Sequence, residues 1–364
     1  MGGGASKSKG GAGAPPASIG ASNPNPGPFP HVKAMTGMAT VANNKKDAGL
    51  PNEDRAVVEE VRRAVYMYSV IDGHKGPMCA DFLQSQLHES IKKQPGMEPL
   101  ADELRDPRQA LMDGYYEADV AFLKQMDAME RQVVMVDGTE IDITADLRNS
   151  GSTGCTALIV GNELFVANVG DSRCVLCRSG LSLNLTNDHN PDSAFERQRV
   201  EAAGAMIIRN RVYGDLAVTR SFGDRGFKFT KEEGGLDDDE PGASSPLTYI
   251  NDPHTTKSPL TAMAEIEVHT IKPVDEFLVL ATDGLWVTMT NMEVVTFVHE
   301  FFANPPTAAL RMATDDVLCE QVATELTEEA VRRRKTNHDD ITVVVVKLQM
   351  KEVGKTFLMA PPKV

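Results

Sequence analysis

Basic residues are outnumbered in this 364-residue sequence. Its 37 lysines and arginines stand against 52 aspartates and glutamates, which leaves a formal net charge of −15. A nucleic-acid-binding surface needs clustered cations for phosphate contacts, so the charge balance argues against nucleic acid as a partner. An enzyme that handles phosphate with this composition would need local cations or metal ions.

Cysteine is also scarce. The five cysteines are an odd number in a long chain without a secretory signal peptide, which is typical of reduced thiols in the cytosol or nucleus. Cys174 and Cys177 form a C-x-x-C motif within a predicted strand, where a separation of three places them on opposite faces. No second Cys pair completes a zinc set, so we interpret both as small buried hydrophobes.

Long apolar runs are absent, and no stretch of about 18 residues could span a bilayer. The start, MGGGAS, matches the N-myristoylation pattern at Gly2. A Gly-rich start to a disordered arm is the alternative. One acyl chain binds membranes only marginally, so acylation would give weak, reversible, peripheral membrane association.

Composition divides the chain into one large domain with biased ends. Residues 1–35 are rich in Gly, Pro, Ala, Ser and Asn and are predicted to form a disordered arm. We expect a folded domain over residues 36–350 with an acidic surface flap at about 225–262, followed by a tail over 351–364. We also expect the protein to be a monomer.

Apolar segments between turn signals indicate both strands and helices. Residues 156–185 alternate apolar and polar positions between tight turns and are predicted to form a β-meander. Because the elements do not alternate strictly, the pattern favours an α+β sandwich over a doubly wound sheet. Further strands are predicted at 65–71, 205–212, 264–270, 277–282 and 341–348, and helices at 78–93, 107–129, 192–203, 291–302 and 308–334.

Four aspartates border apolar segments: Asp54 in NEDRAV, Asp72 in SVIDGHKG, Asp283 in LVLATDGLW and Asp339 in NHDDITVVVV. A buried anion must be paired or bind a metal, and too few cations lie beside these motifs. Bound Mg²⁺ or Mn²⁺ would relieve repulsion among converging carboxylates, since both ions prefer oxygen ligands. The alternative is a set of ordinary turns, because Asp-Gly is a common turn signal.

The motifs VIDGHKG, SGSTGCTALIV, ANVGDSR, GDLAVTRSFGD, LATDGLW and DDITVVVV occur in this order. Together they resemble the motif series of the metal-dependent protein phosphatases of type 2C, over a span from about Glu53 to Leu348. The resemblance implies a four-layer α-β-β-α sandwich around a central antiparallel β-sandwich. It also implies two Mn²⁺ or Mg²⁺ ions per chain and hydrolysis of phosphoserine and phosphothreonine in phosphoprotein substrates.

Position by position, the resemblance implies a role for each matched residue. Asp72 would bridge the two metals, with the carbonyl of Gly73 on one of them. His74, with a pKa near neutrality, would protonate the departing serine or threonine oxygen. The remaining matched positions would bind metal or metal-bound water: Glu53, Asp54, Asp283 and Asp339.

The sequence departs from the family pattern at the phosphate-binding position. Many members carry an arginine where this chain has Gly49. Lys45, Lys46 or Lys75 could supply charge nearby, but lysine presents a point charge and not a bidentate fork. The sequence therefore predicts weaker or different phosphate contacts.

Two further departures concern acids. Val287 stands where an acid commonly follows the tryptophan of the DGLW motif, which removes a ligand of an additional, weaker metal; Asp171 and Asp224 remain as candidates for it. Asp340 replaces an asparagine that often follows the last metal-binding aspartate and adds negative charge.

These departures leave two hypotheses of different classes. The first is a working phosphatase with altered phosphate contacts. The second is a catalytically weak or inactive phosphatase-like binding protein that acts as a regulatory scaffold. We favour catalysis, because a scaffold has no physical need for costly converging acids. Hydrolysis of another phosphate ester would use the same site.

Overall fold

The computed structural model describes residues 31–41, 52–100, 103–230, 248–249, 258–335 and 339–351. The predicted arm up to residue 30, the predicted tail from residue 352 and most of the predicted flap lie outside these ranges. So do Gly2, Lys45, Lys46 and Gly49.

Two large antiparallel sheets form the centre of the molecule. The first has the order β1-β20-β19-β11-β12 and contains β1 (His31–Val41), β11 (Arg173–Arg178), β12 (Leu181–Asn184), β19 (Asp275–Ala281) and β20 (Ile341–Lys351). The second has the order β15-β8-β3-β9-β10-β18, with β2 paired to β3. It contains β2 (Asp54–Arg62), β3 (Val65–His74), β8 (Gly151–Ser152), β9 (Gly154–Val160), β10 (Glu163–Val169), β15 (Phe222–Gly223) and β18 (Glu265–Thr270).

Helices and small hairpins surround the sheets. The helices are α1 (Met78–Lys92), α2 (Pro107–Asp127), α3 (Ala145–Arg148), α4 (Ala194–Ala202), α5 (Asp283–Trp286), α6 (Asn291–Ala303), α7 (Ala308–Arg311) and α8 (Asp315–Arg333). The hairpins pair β4 (Pro99–Leu100) with β5 (Glu103–Leu104), β6 (Val133–Val136) with β7 (Thr139–Asp142), β13 (Ile207–Ile208) with β14 (Arg211–Val212), and β16 (Phe229–Thr230) with β17 (Thr248–Tyr249).

Strand β20 shows why the core has several layers. Val343 and Val345 pack in the cluster under α6 and α8, whereas Val344 and Val346 pack in the cluster between the two sheets. An uninterrupted apolar strand is buried on both faces in this way. A third cluster joins β3 and β9 to α1 and α2. The three apolar layers separate four layers of secondary structure, which confirms the predicted α-β-β-α sandwich.

The predicted meander over residues 156–185 is wrong. Strands β9 and β10 form a hairpin in the second sheet, but β11 and β12 form a hairpin in the first. The chain crosses between the sheets at Gly170 and Asp171, where Gly170 has a φ of +105°. An alternating pattern does not distinguish a meander from two hairpins in stacked sheets, because both have the same period.

Three other boundaries differ from the sequence-based expectation. Residues 31–35 of the predicted arm belong to β1, which pairs with β20 from His31 to Val41 and buries Val32 and Met35. The predicted strand 205–212 is only the β13-β14 hairpin. The predicted helix 308–334 is interrupted between α7 and α8, where Asp315 and Asp316 open the first turn of α8 and favour a new helix start.

No helix among the described residues is long and apolar enough to cross a membrane.

Candidate active site

Each of the predicted metal-binding aspartates lies at the end of a strand, and the topology gathers these ends. In the second sheet Asp54 opens β2 and Asp72 lies near the end of β3. In the first sheet Asp283 follows β19, and Asp339 precedes β20. Asp171 lies in the crossing between the sheets, so one end of the sandwich carries all five.

Asp54 and Asp72 face each other across the β2-β3 ladder. Burial raises the pKa of Asp54 to about 7, even though hydrogen bonds from Thr282 and Thr342 oppose the shift. Burial also raises the pKa of Asp72 well above its ordinary value, and the charges of Asp54 and Asp283 add to the rise. Like charges directly opposite on paired strands destabilise a sheet, so this pairing requires a compensating interaction.

Hydrogen bonds from the first sheet hold the acids of the second. The Thr282 hydroxyl donates to Asp54 Oδ2 at 2.8 Å and accepts from the Thr342 backbone N–H at 2.9 Å. The Glu53 backbone N–H donates to Asp340 Oδ2 at 2.8 Å. Asp340, the residue that departs from the family pattern, therefore fixes the start of β2.

The acids of the first sheet are perturbed in the same direction. Burial raises the pKa of Asp283 well above its ordinary value, with added repulsion from Asp171 and Asp339. Burial and the charge of Asp188 raise the pKa of Asp171 to about 6. The pKa of Asp339 is raised by partial burial of its carboxyl group, although the residue as a whole is exposed to solvent. These five carboxylates form a cluster, called the acidic recess below, that is electrostatically unfavourable without added positive charge: Asp54, Asp72, Asp171, Asp283 and Asp339.

Divalent cations fit this recess. Its donors are carboxylate oxygens, the ligand type that Mg²⁺ and Mn²⁺ prefer. Among the described residues, Cys177, Glu276 and His299 form the one group of three with ligand atoms within 4.8 Å of one another. The acids of the recess are therefore more widely spaced than in a closed single-ion cage, which suits ions that retain several waters. Metal ligation by Asp72, Gly73, Asp283 and Asp339 stays a prediction.

His74 lies beside the recess in a pair with Asp224. Its Nε2 lies 2.6 Å from Asp224 Oδ2, and the Ser221 hydroxyl donates to the same oxygen at 2.7 Å. A Cβ atom on Gly151 would lie 2.2 Å from Asp224 Oδ2 and 2.3 Å from His74 Nε2. Only glycine fits there, so Gly151 lets β8 approach the pair closely.

The pair favours the protonated form of the imidazole. Burial alone would lower the pKa of His74, but the charge and hydrogen bond of Asp224 outweigh it, and the pKa is raised. In turn, His74 overcomes the effect of burial and lowers the pKa of Asp224. Asp224 Oδ2 is engaged by His74 and Ser221, whereas its buried Oδ1 has no hydrogen-bond partner among the described residues. A part for Asp224 in the additional metal site therefore stays a prediction.

Two cations near the site, Lys75 and Arg173, are already paired with acids. Lys75, a candidate for phosphate binding, lies 2.6 Å from Asp215 Oδ2 and over the ring of Phe227. Arg173 forms a bidentate pair with Asp188 at 2.7 Å. A phosphate role for Lys75 stays a prediction and would require release from Asp215.

Comparison with known proteins identifies the family. The family model for protein phosphatase 2C matches residues 43–339. The chain is 32% identical over 291 residues to "Probable protein phosphatase 2C 59" of Oryza sativa subsp. japonica, covering 79% of this chain and 68% of that protein. It is 31% identical over 293 residues to "Probable protein phosphatase 2C 59" of Arabidopsis thaliana, covering 80% of this chain and 72% of that protein.

A solved structure shows the same fold. The serine-threonine phosphatase 2C from Toxoplasma gondii superposes with a TM-score of 0.59 at 19% identity, covering 88% of this chain and 98% of that chain. The chain belongs to the protein phosphatase 2C family, whose members are protein serine/threonine phosphatases. Dependence on Mn²⁺ or Mg²⁺ is general for the family. The predicted family and enzyme class are thereby confirmed.

Sequence reasoning missed the residues that support the acids. Thr282 immediately precedes Asp283, yet nothing in the sequence indicates that its hydroxyl reaches Asp54 in the other sheet. The partnership of His74 with Asp224 joins residues 150 positions apart. Contacts of this kind depend on the tertiary fold and leave no local pattern.

We expect Asp54 to destabilise the metal-free protein, relative to Asp54→Asn, as the pH rises. A carboxyl with a raised pKa in the folded state binds protons more tightly than in the unfolded chain. For Asp54 the resulting stabilisation is present below its ordinary pKa of 3.8 and is lost as the pH rises through about 7. The melting temperature of the wild type in chelator should therefore fall by roughly 5 to 10 °C relative to that of Asp54→Asn across this interval.

Thermal melts at fixed ionic strength, with chelator or with excess Mn²⁺, measure the effect. Mn²⁺ should raise the melting temperature most near pH 7, and Asp54→Asn should flatten the metal-free profile. A difference in metal-free melting temperature between wild type and Asp54→Asn that stays constant from pH 4 to pH 7 would contradict this account of the acid cluster.

Proposed function

We propose that this chain hydrolyses phosphoserine and phosphothreonine in proteins with the help of two Mn²⁺ or Mg²⁺ ions held by the acidic recess. Asp72, Asp283 and Asp339 are the proposed direct ligands, together with the Gly73 carbonyl. Glu53 and Asp54 would hold metal-bound waters. Membership of the protein phosphatase 2C family supports the substrate class.

One observation carries the metal assignment: Asp54 and Asp72 lie opposite each other on paired strands, and their pKa values are raised. Such an arrangement is unfavourable unless cations neutralise it. When bound, the ions would activate water as the nucleophile and offset charge on the phosphoryl oxygens.

His74 would complete the reaction as the general acid. Its Nε2 is engaged by Asp224, so Nδ1 is the nitrogen that can donate to the substrate. Water adds to phosphorus, the bond from phosphorus to the serine or threonine oxygen breaks, and that oxygen takes the proton from Nδ1. The products are the free hydroxyl side chain and inorganic phosphate, and solvent reprotonates the imidazole.

Replacement of Asp72 tests the metal assignment. Asp72→Asn should lower Mn²⁺-dependent turnover of a phosphothreonine peptide by at least about 100-fold, because a ligand charge is lost. It should also raise the melting temperature in chelator, because repulsion with Asp54 disappears. Wild-type turnover no greater than that of Asp72→Asn would instead favour the phosphatase-like binding protein.

Replacement of Asp224 tests its role as a positioning residue. Asp224 raises the pKa of His74, so Asp224→Asn should shift the basic limb of the kcat-pH profile to lower pH and reduce kcat by about tenfold. Asp81→Asn, which alters an exposed partner of Arg55, is the matched control. An unshifted basic limb in Asp224→Asn would assign Asp224 a purely structural role.

A further inference from the structure

Arg334 carries a buried guanidinium at the edge of the acidic recess. Its backbone caps the C-terminal end of α8, but within the described part of the chain its side chain has no hydrogen-bond partner at Nε, Nη1 or Nη2, and all three nitrogens are buried. A buried polar group without a partner carries a desolvation penalty. An unpaired guanidinium in this position therefore suits an anionic ligand that is not part of the chain.

The surroundings of Arg334 place it at the proposed reaction site. Burial lowers the pKa of its guanidinium, while the charges of Asp339, Asp340, Asp283 and Asp54 oppose that shift. These acids come from both sheets, so the side chain lies where the sheets meet. These acids adjoin one another: the Thr282 hydroxyl, next to Asp283, donates to Asp54, and a Cβ atom on Gly284 would lie 2.0 Å from the Asp340 carbonyl oxygen.

Three other positively charged groups of the site are already held by acids. Lys75 pairs with Asp215, Arg173 with Asp188, and His74 with Asp224. Arg334 differs because its donors are unused. Arginine offers a planar fork of donors that matches two phosphate oxygens at once.

We propose that Arg334 binds the phosphoryl group of the substrate, an inference that rests on the proposed function. It supplies, from the last helix, the fork-shaped cation that the chain lacks at Gly49. Arg334 immediately follows α8, and its guanidinium would contact two oxygens of the phosphoryl group.

Inorganic phosphate is the probe for this proposal. We compare wild type, Arg334→Ala and Arg334→Lys, with Arg332→Ala as the control, since Arg332 is an exposed neighbour on the same helix. In Arg334→Ala, calorimetry should show that the Mn²⁺-loaded protein binds phosphate roughly 10- to 100-fold more weakly than wild type does. The KM for a phosphothreonine peptide should rise by a similar factor. Arg334→Lys should recover part of the loss, and Arg332→Ala should match wild type.

The readouts separate this inference from the proposed function. Phosphate affinity in Arg334→Ala within twofold of wild type overturns the role of Arg334. A change in Mn²⁺ affinity without a change in phosphate affinity does so too, because Arg334 would then serve only the acids. Absence of wild-type turnover contradicts the proposed function, whereas calorimetry with phosphate still reports on Arg334.

A second, independent observation concerns Cys177, Glu276 and His299, whose ligand atoms all lie within 4.8 Å of one another. They come from β11, β19 and α6. Glu276 Oε2 lies 2.7 Å from His299 Nδ1, and Glu276 Oε1 accepts from the Gly180 N–H at 3.0 Å. Cys177 is buried, whereas the side chains of Glu276 and His299 are 34% and 44% exposed, so solvent can reach the group.

The geometry points to a second metal site here, for a borderline-soft divalent cation such as Zn²⁺. A thiolate, a carboxylate and an imidazole form a three-ligand set with room for a water in the fourth position. Binding would displace the thiol proton of Cys177. The site lies at the start of β19, whereas Asp283 follows the end of that strand, so it is separate from the acidic recess.

Cobalt titration tests this site, because a thiolate ligand to Co²⁺ gives a charge-transfer absorption that oxygen ligands of the recess do not. We expect the band in wild type and in Cys174→Ala, a buried cysteine on the opposite face of β11. It should disappear in Cys177→Ala, and His299→Ala should weaken Co²⁺ binding at this site by at least about tenfold. A wild-type protein without the band, or a band that survives in Cys177→Ala, overturns the assignment.

Discussion

Repulsion among carboxylates is the constraint on which the rest of this structure depends. Asp54 and Asp72 lie opposite each other on neighbouring strands, and Asp283 adds to the rise in the pKa of Asp72 from the other sheet. The Thr282 hydroxyl ties Asp54 to the first sheet, so the same contact joins the two sheets and orients an acid. This one hydrogen bond therefore serves both the packing of the two sheets and the proposed metal site.

Positive charge around these acids is distributed unevenly. Arg173 and Lys75 each pair with an aspartate, and Asp224 raises the pKa of His74. Arg334 alone among these four has unused donors in a buried position. Arg173, Lys75 and His74 therefore make contacts within the protein, whereas Arg334 is available to a ligand. Under the proposed function, local cations would let a strongly acidic protein attract a phosphorylated side chain, because nearby charges determine the field that a bound group experiences.

The strands that carry the acids could be predicted because they are locally distinctive. Apolar runs such as VVVV are buried on both faces, and the adjacent aspartate marks the end of the strand. Strand β1 was missed, since the segment HVKAMTGMATV is stabilised mainly by its pairing with β20. The predicted meander was wrong because the period of apolar residues indicates which face is buried but not which sheet a strand joins.

Arg334 could not be recognised from the sequence. It lies within the basic run RRRK, which resembles an ordinary solvated helix end, and only the tertiary fold buries its guanidinium.

The position of β20 also bears on how the chain matures. This strand, close to the C-terminal end of the sequence, is inserted between β1 and β19 in the first sheet. Until β20 has been synthesised, β1 has no partner in that sheet and β19 has an open edge, which is the kind of surface that associates with other chains. Asp339 and Asp340 emerge with the same segment. A nascent chain therefore acquires a closed sandwich and a complete acidic recess in a single late event, and a chain that stops before Asp339 would lack both.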